Sequence, residues 1–104
     1  MAEFSQKFRD GLCVIRVAGD IDLAAIDDFV ETVRRSLGRG EACEIDLGGV
    51  TFIDSSGLGT LVRLRKEADQ QGTSLHLTNV TEATARLMQI TGLTDVLDIR
   101  TSQD

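Results

Sequence analysis

Between Leu12 and Ala18 the chain reads Leu-Cys-Val-Ile-Arg-Val-Ala, a run rich in β-branched residues and closed by Gly19, which predicts a buried strand. The shorter segment from Phe4 to Phe8 precedes it, and the intervening Arg9-Asp10-Gly11 carries the Asp-Gly pair that favours a tight antiparallel hairpin. Past Asp22, the apolar residues Leu23, Ile26, Val30, Val33 and Leu37 recur at spacings of three and four. That periodicity puts them on one helical stripe, with Phe29 beside it. Asp22 is placed to cap this helix, Asp27 and Asp28 fall in its early turns and Arg34 and Arg35 in its last, and Gly38 suits the left-handed position that ends it.

Farther along, Cys43, Ile45 and Leu47 alternate with Glu44 and Asp46, the pattern of a strand with one face against helices and the other less covered. Leu58, Leu61, Val62, Leu64 and Ala68 return to helical spacing until Gln71-Gly72 stops the run. Ser74 to Thr78 forms a short strand with Leu75 and Leu77 on one face. Thr81 caps a third helix whose stripe is Ala83, Leu87 and Ile90 and whose end is Gly92, and Val96 to Ile99 adds a last strand. The order β-β-α-β-α-β-α-β predicts an α/β fold, a mixed sheet of four to five strands with helices packed mainly on one face.

At 104 residues and 41% hydrophobic composition, one core is all the chain can bury, so residues 1–104 are expected to form a single domain. The formal charge of -6 argues against a nucleic-acid partner, which calls for a basic face. The N-terminus lacks the apolar core of a signal peptide and no stretch approaches the length of a membrane span, so the expectation is a cytoplasmic protein with no membrane association. Cys13 and Cys43 lack CxxC spacing and companion histidines, and are expected to be reduced core residues rather than a disulfide or metal site.

One stretch stands apart from this scaffold: Thr51-Phe52-Ile53-Asp54-Ser55-Ser56-Gly57-Leu58-Gly59, where an apolar strand stops in an acid, two hydroxyls and a glycine before a helix begins. Ser55 and Ser56 fall in the first helical turn, where unpaired N–H groups and the positive end of the dipole favour negative charge. One hydroxyl suffices for a cap, which leaves the other to be explained. A nucleophile needs a base, and the one histidine, His76, sits mid-strand and is expected to face solvent. The turn also has Asp54 where a G-x-S-x-G elbow would have its first glycine. No phosphate-loop string G-x-x-x-x-G-K-[ST] is present, and no catalytic residue, metal site or cofactor is expected. Phosphoryl acceptance from another protein remains, since a phosphate adds about 1.5 to 2 negative charges at a place that tolerates them. Asp54 either orients the hydroxyls or satisfies N–H groups of the turn. Gly57 and Gly59 allow close backbone approach.

The strings IDLGGVTFIDSSGLGTLVRLRKEA, from Ile45 to Ala68, and VAGDIDLAAIDDF, from Val17 to Phe29, resemble the STAS domain family, specifically the bacterial anti-sigma factor antagonists. The resemblance extends from the first hairpin to Gly92-Leu93. It implies that Ser56 is phosphorylated by a cognate anti-sigma factor that is itself a serine kinase. It also implies that Gly19-Asp20-Ile21-Asp22 matches the family's acidic contact turn, so that Asp20, Asp22, Asp54, Ser55, Ser56 and Gly57 form the partner-binding surface. The implied cycle is partner switching: the unphosphorylated antagonist binds the kinase and frees a sigma factor, and a phosphatase resets the phosphorylated form. The alternative within the family is a non-phosphorylated STAS scaffold subunit of a transporter or stress-signalling complex, which has no need of the acceptor hydroxyl. Many members continue past the last strand into a fourth helix, whereas this sequence stops at Arg100-Thr101-Ser102-Gln103-Asp104.

Overall fold

Asp10 and Gly11 both take positive φ, 49° and 81°, and this pair of left-handed residues turns strand β1 (Ala2–Arg9) directly into the antiparallel β2 (Leu12–Ile21). The structure is a computed structural model that describes residues 2–100. After the hairpin come helix α1 (Leu23–Gly38), strand β3 (Ala42–Ile53), helix α2 (Ser55–Gln70), strand β4 (Leu75–Thr78) and helix α3 (Glu82–Thr91). The strands lie in the order β1-β2-β3-β4, with β2, β3 and β4 mutually parallel. Ile99 contributes one parallel bridge to Leu77 where a fifth strand was expected, because a 3-10 turn at Thr94–Val96 takes up the residues ahead of it. Residues 101–104, at which the fourth-helix comparison ends, lie outside those described.

One face of the sheet builds the core. Cys13, Ile15 and Val17 of β2, Cys43, Ile45 and Leu47 of β3, and Leu75 and Leu77 of β4 meet Phe29, Val33 and Leu37 of α1 and Leu58, Leu61 and Leu64 of α2 in a single buried cluster. Asp22, Asp54 and Thr81 cap the three helices with side-chain oxygens, and Gly72 and Gly92 take left-handed backbone just past α2 and α3. Arg34 of α1 grips Glu67 of α2 with two hydrogen bonds of 2.8 Å, which holds the Glu67 carboxyl below the usual carboxylate range.

Several expectations are corrected by the packing. In α1, Val30, Val33 and Leu37 are buried with Phe29 as the spacing predicts, and Ala25 joins them, while Leu23 is 77% exposed and Ile26 half-buried; Phe29 packs against Phe4 with ring centroids 5.8 Å apart. The α1 helix continues through Gly38, and the left-handed residue is Gly40 at φ 79°. Strand β2 passes through Gly19 to Ile21, with Gly19 at φ 92° beside two register shifts, so this glycine bends the strand rather than ending it. In α3 the inward residues are Thr84 and Met88, while Ala83 and Ile90 are exposed, because the Thr81 cap fixes the first turn through Thr84.

On the opposite sheet face, polar residues of β3 and β4 are also buried. Glu44, Asp46 and His76 are covered rather than open to solvent, since each finds a partner across the sheet. The Glu44 carboxylate accepts from the Thr78 hydroxyl at 3.1 Å and lies 3.2 Å from His76 Nε2, and Asp46 accepts from Arg16 at 3.2 Å and from the Gly48 N–H at 2.9 Å. His76 is therefore engaged with Glu44.

Cys13 and Cys43 stand opposite one another in register on β2 and β3, both fully buried as free thiols. Burial pushes the Cys43 thiol from its ordinary value of 9.0 up to about 11. Below the unfolded value both states keep the proton and the native state loses nothing; as pH rises toward 11 the unfolded chain gives up its proton first, so stability falls over that window. The melting temperature is therefore expected to drop between pH 9 and 11, with a smaller slope in Cys43→Ala. An unchanged slope in that variant contradicts the assignment.

Candidate functional site

Strands β2 and β3 finish together. Ile21 and Ile53 are register partners, both buried, and each is followed by an aspartate in extended backbone, Asp22 at φ -107° and Asp54 at φ -106°. Each aspartate opens a helix. Asp22 Oδ1 accepts from the Ala25 N–H at 3.1 Å, and Asp54 Oδ1 accepts from the Gly57 N–H at 3.0 Å. The parallel pairing thus sets two capped helix N-termini side by side at the carboxyl end of the strands, the edge at which open α/β sheets commonly bind.

Ser55 and Ser56 occupy the first turn of α2 and both are exposed. Neither caps the helix: the expectation that one serine would do so is corrected, since β3 ends at Ile53 and leaves Asp54 in the cap position. Ser56 donates its hydroxyl to Asp54 Oδ1 at 2.8 Å, whereas Ser55 makes no side-chain hydrogen bond among the described residues. Asp54 therefore plays both roles weighed for it. One carboxylate oxygen orients a hydroxyl and satisfies a turn N–H. The Gly57 N–H, followed by the Ser56 hydroxyl, holds the Asp54 carboxyl below its ordinary value.

The two glycines of the turn differ. A Cβ on Gly57 would stand 2.7 Å from Ile53 Cγ1 and 3.4 Å from Ile21 Cγ2, so glycine alone lets α2 settle on the strand ends. Gly59 is exposed with nothing within 4 Å of such an atom, so the close approach expected there is absent.

Asp20 pairs in register with Phe52 and accepts from the Thr51 hydroxyl at 2.6 Å, which ties the acidic turn of β2 to β3. The six residues singled out in the sequence, Asp20, Asp22, Asp54, Ser55, Ser56 and Gly57, thus all lie at the ends of two neighbouring strands. Two further residues belong to this edge. Thr51 anchors Asp20, and Phe52, 52% exposed, borders a groove of about 240 Å³ between the end of β3 and Thr81, Ala83 and Thr84 at the start of α3. The period-two alternation of a strand, which sends Phe52 to the face opposite Ile53, was the signal for the second. Among the described residues no group of three or more His, Cys, Asp or Glu could hold a metal ion, and no helix is long and apolar enough to cross a membrane.

Fold and edge together define a small mixed α/β domain that displays an oriented hydroxyl at a helix N-terminus. The chain belongs to the STAS domain family, whose profile matches residues 3–104. It is similar to the anti-sigma-B factor antagonist of Bacillus subtilis, 38% identical over 85 residues that cover 82% of this chain and 78% of the relative. In three dimensions it resembles an anti-sigma factor antagonist from Mycobacterium paratuberculosis, with a TM-score of 0.87 at 24% identity over 100% of this chain and 89% of the other. The anti-sigma factor antagonist SpoIIAA in its unphosphorylated form superposes with a TM-score of 0.80 at 19% identity, covering 98% and 90% of the two chains. SpoIIAA has also been solved in a phosphorylated form, to which the TM-score is 0.75 at 19% identity over 98% of this chain and 93% of that one.

Proposed function

We propose that this protein is an anti-sigma factor antagonist that docks a cognate anti-sigma serine kinase through the edge formed by Asp20, Asp22 and the Asp54–Gly57 turn. Phosphoryl transfer to Ser56 ends that interaction, and a phosphatase restores it. The observation that carries this reading is the Ser56 hydroxyl, exposed on the first turn of α2 and relieved of capping duty by Asp54. The relative's description as an anti-sigma-B factor antagonist supports the same role.

In the transfer, Ser56 Oγ bonds to the γ-phosphorus of ATP, the bond from that phosphorus to the bridging oxygen breaks, and ADP leaves. The hydroxyl proton passes to a base of the kinase or to water. The product carries about 1.5 to 2 negative charges, which the N–H groups and dipole of α2 tolerate. A docked partner does not tolerate them equally. A partner that packs acidic or desolvated groups against the neutral hydroxyl meets a dianion there instead, and like-charge juxtaposition or unpaired desolvation costs several kcal/mol.

Incubation with the purified anti-sigma kinase of the same genome and ATP is expected to add one phosphate, located on Ser56 by mass spectrometry. No modification, or a phosphate on another residue, overturns the proposal.

A further inference from the structure

Two hydroxyls share the first turn of α2, both exposed, yet one alone is held. The Ser56 hydroxyl hydrogen points to Asp54 Oδ1 at 2.8 Å, so the lone pairs of that oxygen face outward; Ser55 has no such restraint among the described residues. The restraint is itself anchored, because the same Oδ1 accepts from the Gly57 N–H at 3.0 Å and Gly57 is wedged against Ile53. Ionised in the cap, Asp54 cannot donate, so once the Ser56 proton is replaced by phosphorus the carboxylate and the phosphate oxygens face each other with no hydrogen between them.

We propose that Asp54 is a positioning residue with two consequences: it makes Ser56 rather than Ser55 the phosphoryl acceptor, and it raises the second ionisation of the phosphate carried there. The inference rests on the reading of Ser56 as acceptor. A hydroxyl fixed in one rotamer enters the kinase site ready for in-line attack, whereas the Ser55 oxygen must be ordered at the moment of reaction. After transfer, a carboxylate within a few ångströms disfavours the dianion relative to the monoanion. The other charged groups at this edge are Asp20 and Asp22 at the end of β2 and Glu82 in the first turn of α3, with the N–H groups of α2 as the opposing field. All of these stay constant when Asp54 alone is changed.

The test uses two substitutions that helix caps accept, so the fold and melting temperature are retained: Asp54→Asn keeps an acceptor oxygen without the charge, and Asp54→Gly removes the acceptor. With phosphoserine installed at position 56 during translation, a phosphorus-31 NMR titration needs no kinase. Its midpoint is expected at least about half a pH unit higher with Asp54 than in Asp54→Asn. In steady-state assays with the kinase and ATP, Asp54→Gly is expected to lose about tenfold or more in kcat at saturating antagonist and to spread phosphate onto Ser55, while Asp54→Asn keeps Ser56 as its site. Equal titration midpoints, or wild-type kcat with undivided Ser56 modification in Asp54→Gly, overturn the inference. A wild-type chain phosphorylated elsewhere removes the acceptor reading and the selection role together, while the titration still reports the carboxylate's effect by itself.

Discussion

Ser56→Asp is expected to weaken binding to the anti-sigma kinase by about tenfold or more, while the melting curve stays at its wild-type position. The structure separates the two effects. Ser56 is exposed, and its side chain touches Asp54 rather than any part of the core. The cap of α2 belongs to Asp54, so exchanging the serine removes no bond to the helix backbone. An added carboxylate in the first turn interacts favourably with the helix dipole, which offsets its repulsion from Asp54. The docked partner, by contrast, meets one unit of new charge beside Asp20, Asp22 and Asp54. A loss of about 1.4 kcal/mol already amounts to tenfold in affinity. Phosphoserine carries more charge than aspartate, so the variant sets a lower bound on the proposed switch. Ser56→Ala, which adds no charge, is expected to bind as the wild type does and to accept no phosphate. Titration calorimetry reads both affinities, and equal binding by Ser56→Asp and wild type refutes the charge mechanism.

The second large effect concerns the glycines of the same turn, where one chemical change is expected to act in opposite directions. Gly57→Ala sets a methyl group 2.7 Å from Ile53 Cγ1, with Ile53 Cδ1 at 3.2 Å, in a buried corner where both strand ends converge. Helix α2 must lift from the sheet or Ile53 must leave its rotamer, at a cost of about 1–3 kcal/mol. Gly59→Ala meets nothing within 4 Å on the exposed side of the helix. It is expected to stabilise the protein by about 0.5–1 kcal/mol, because alanine has less backbone freedom to lose. Urea denaturation of both variants measures the pair. Destabilisation by Gly59→Ala, or none by Gly57→Ala, contradicts the packing described at the strand ends.

Elements written into a few consecutive residues were legible in the chain. Asp10-Gly11 specified the hairpin, Asp22 and Thr81 specified two helix starts, and Gly72 and Gly92 marked helix ends, because each depends on hydrogen bonds and φ values within a single turn. Resemblance to the family marked Asp54-Ser55-Ser56-Gly57 and Gly19 to Asp22 as one surface, and the acid, the two hydroxyls and the glycine of the serine turn pointed to the same chemistry by themselves. Overlapping stripes were less legible. Leu23 and Ile90 have the right spacing for a core, yet Phe29, Thr84 and Met88 take it, since the rotation of a helix is set by what it packs on and not by its own period. The burial of Glu44 and His76 was hidden for a related reason, their partners being more than thirty positions apart.

By itself the sequence determined the order of elements, the turns and caps between them, and the presence of an acceptor-like hydroxyl beside an acid and a glycine, because all of these are settled by neighbouring residues. Only the tertiary structure decided which residue caps α2, which serine is restrained, and that Asp20 and Asp22 share an edge with Ser56. The cap and the restraint are made within the Asp54–Gly57 turn once β3 stops at Ile53, and the shared edge follows from the parallel register that pairs Ile21 with Ile53 and ends both strands at the same level. A pairing across thirty-two residues is chosen by burial of the whole apolar face and leaves no mark in any short stretch of the chain.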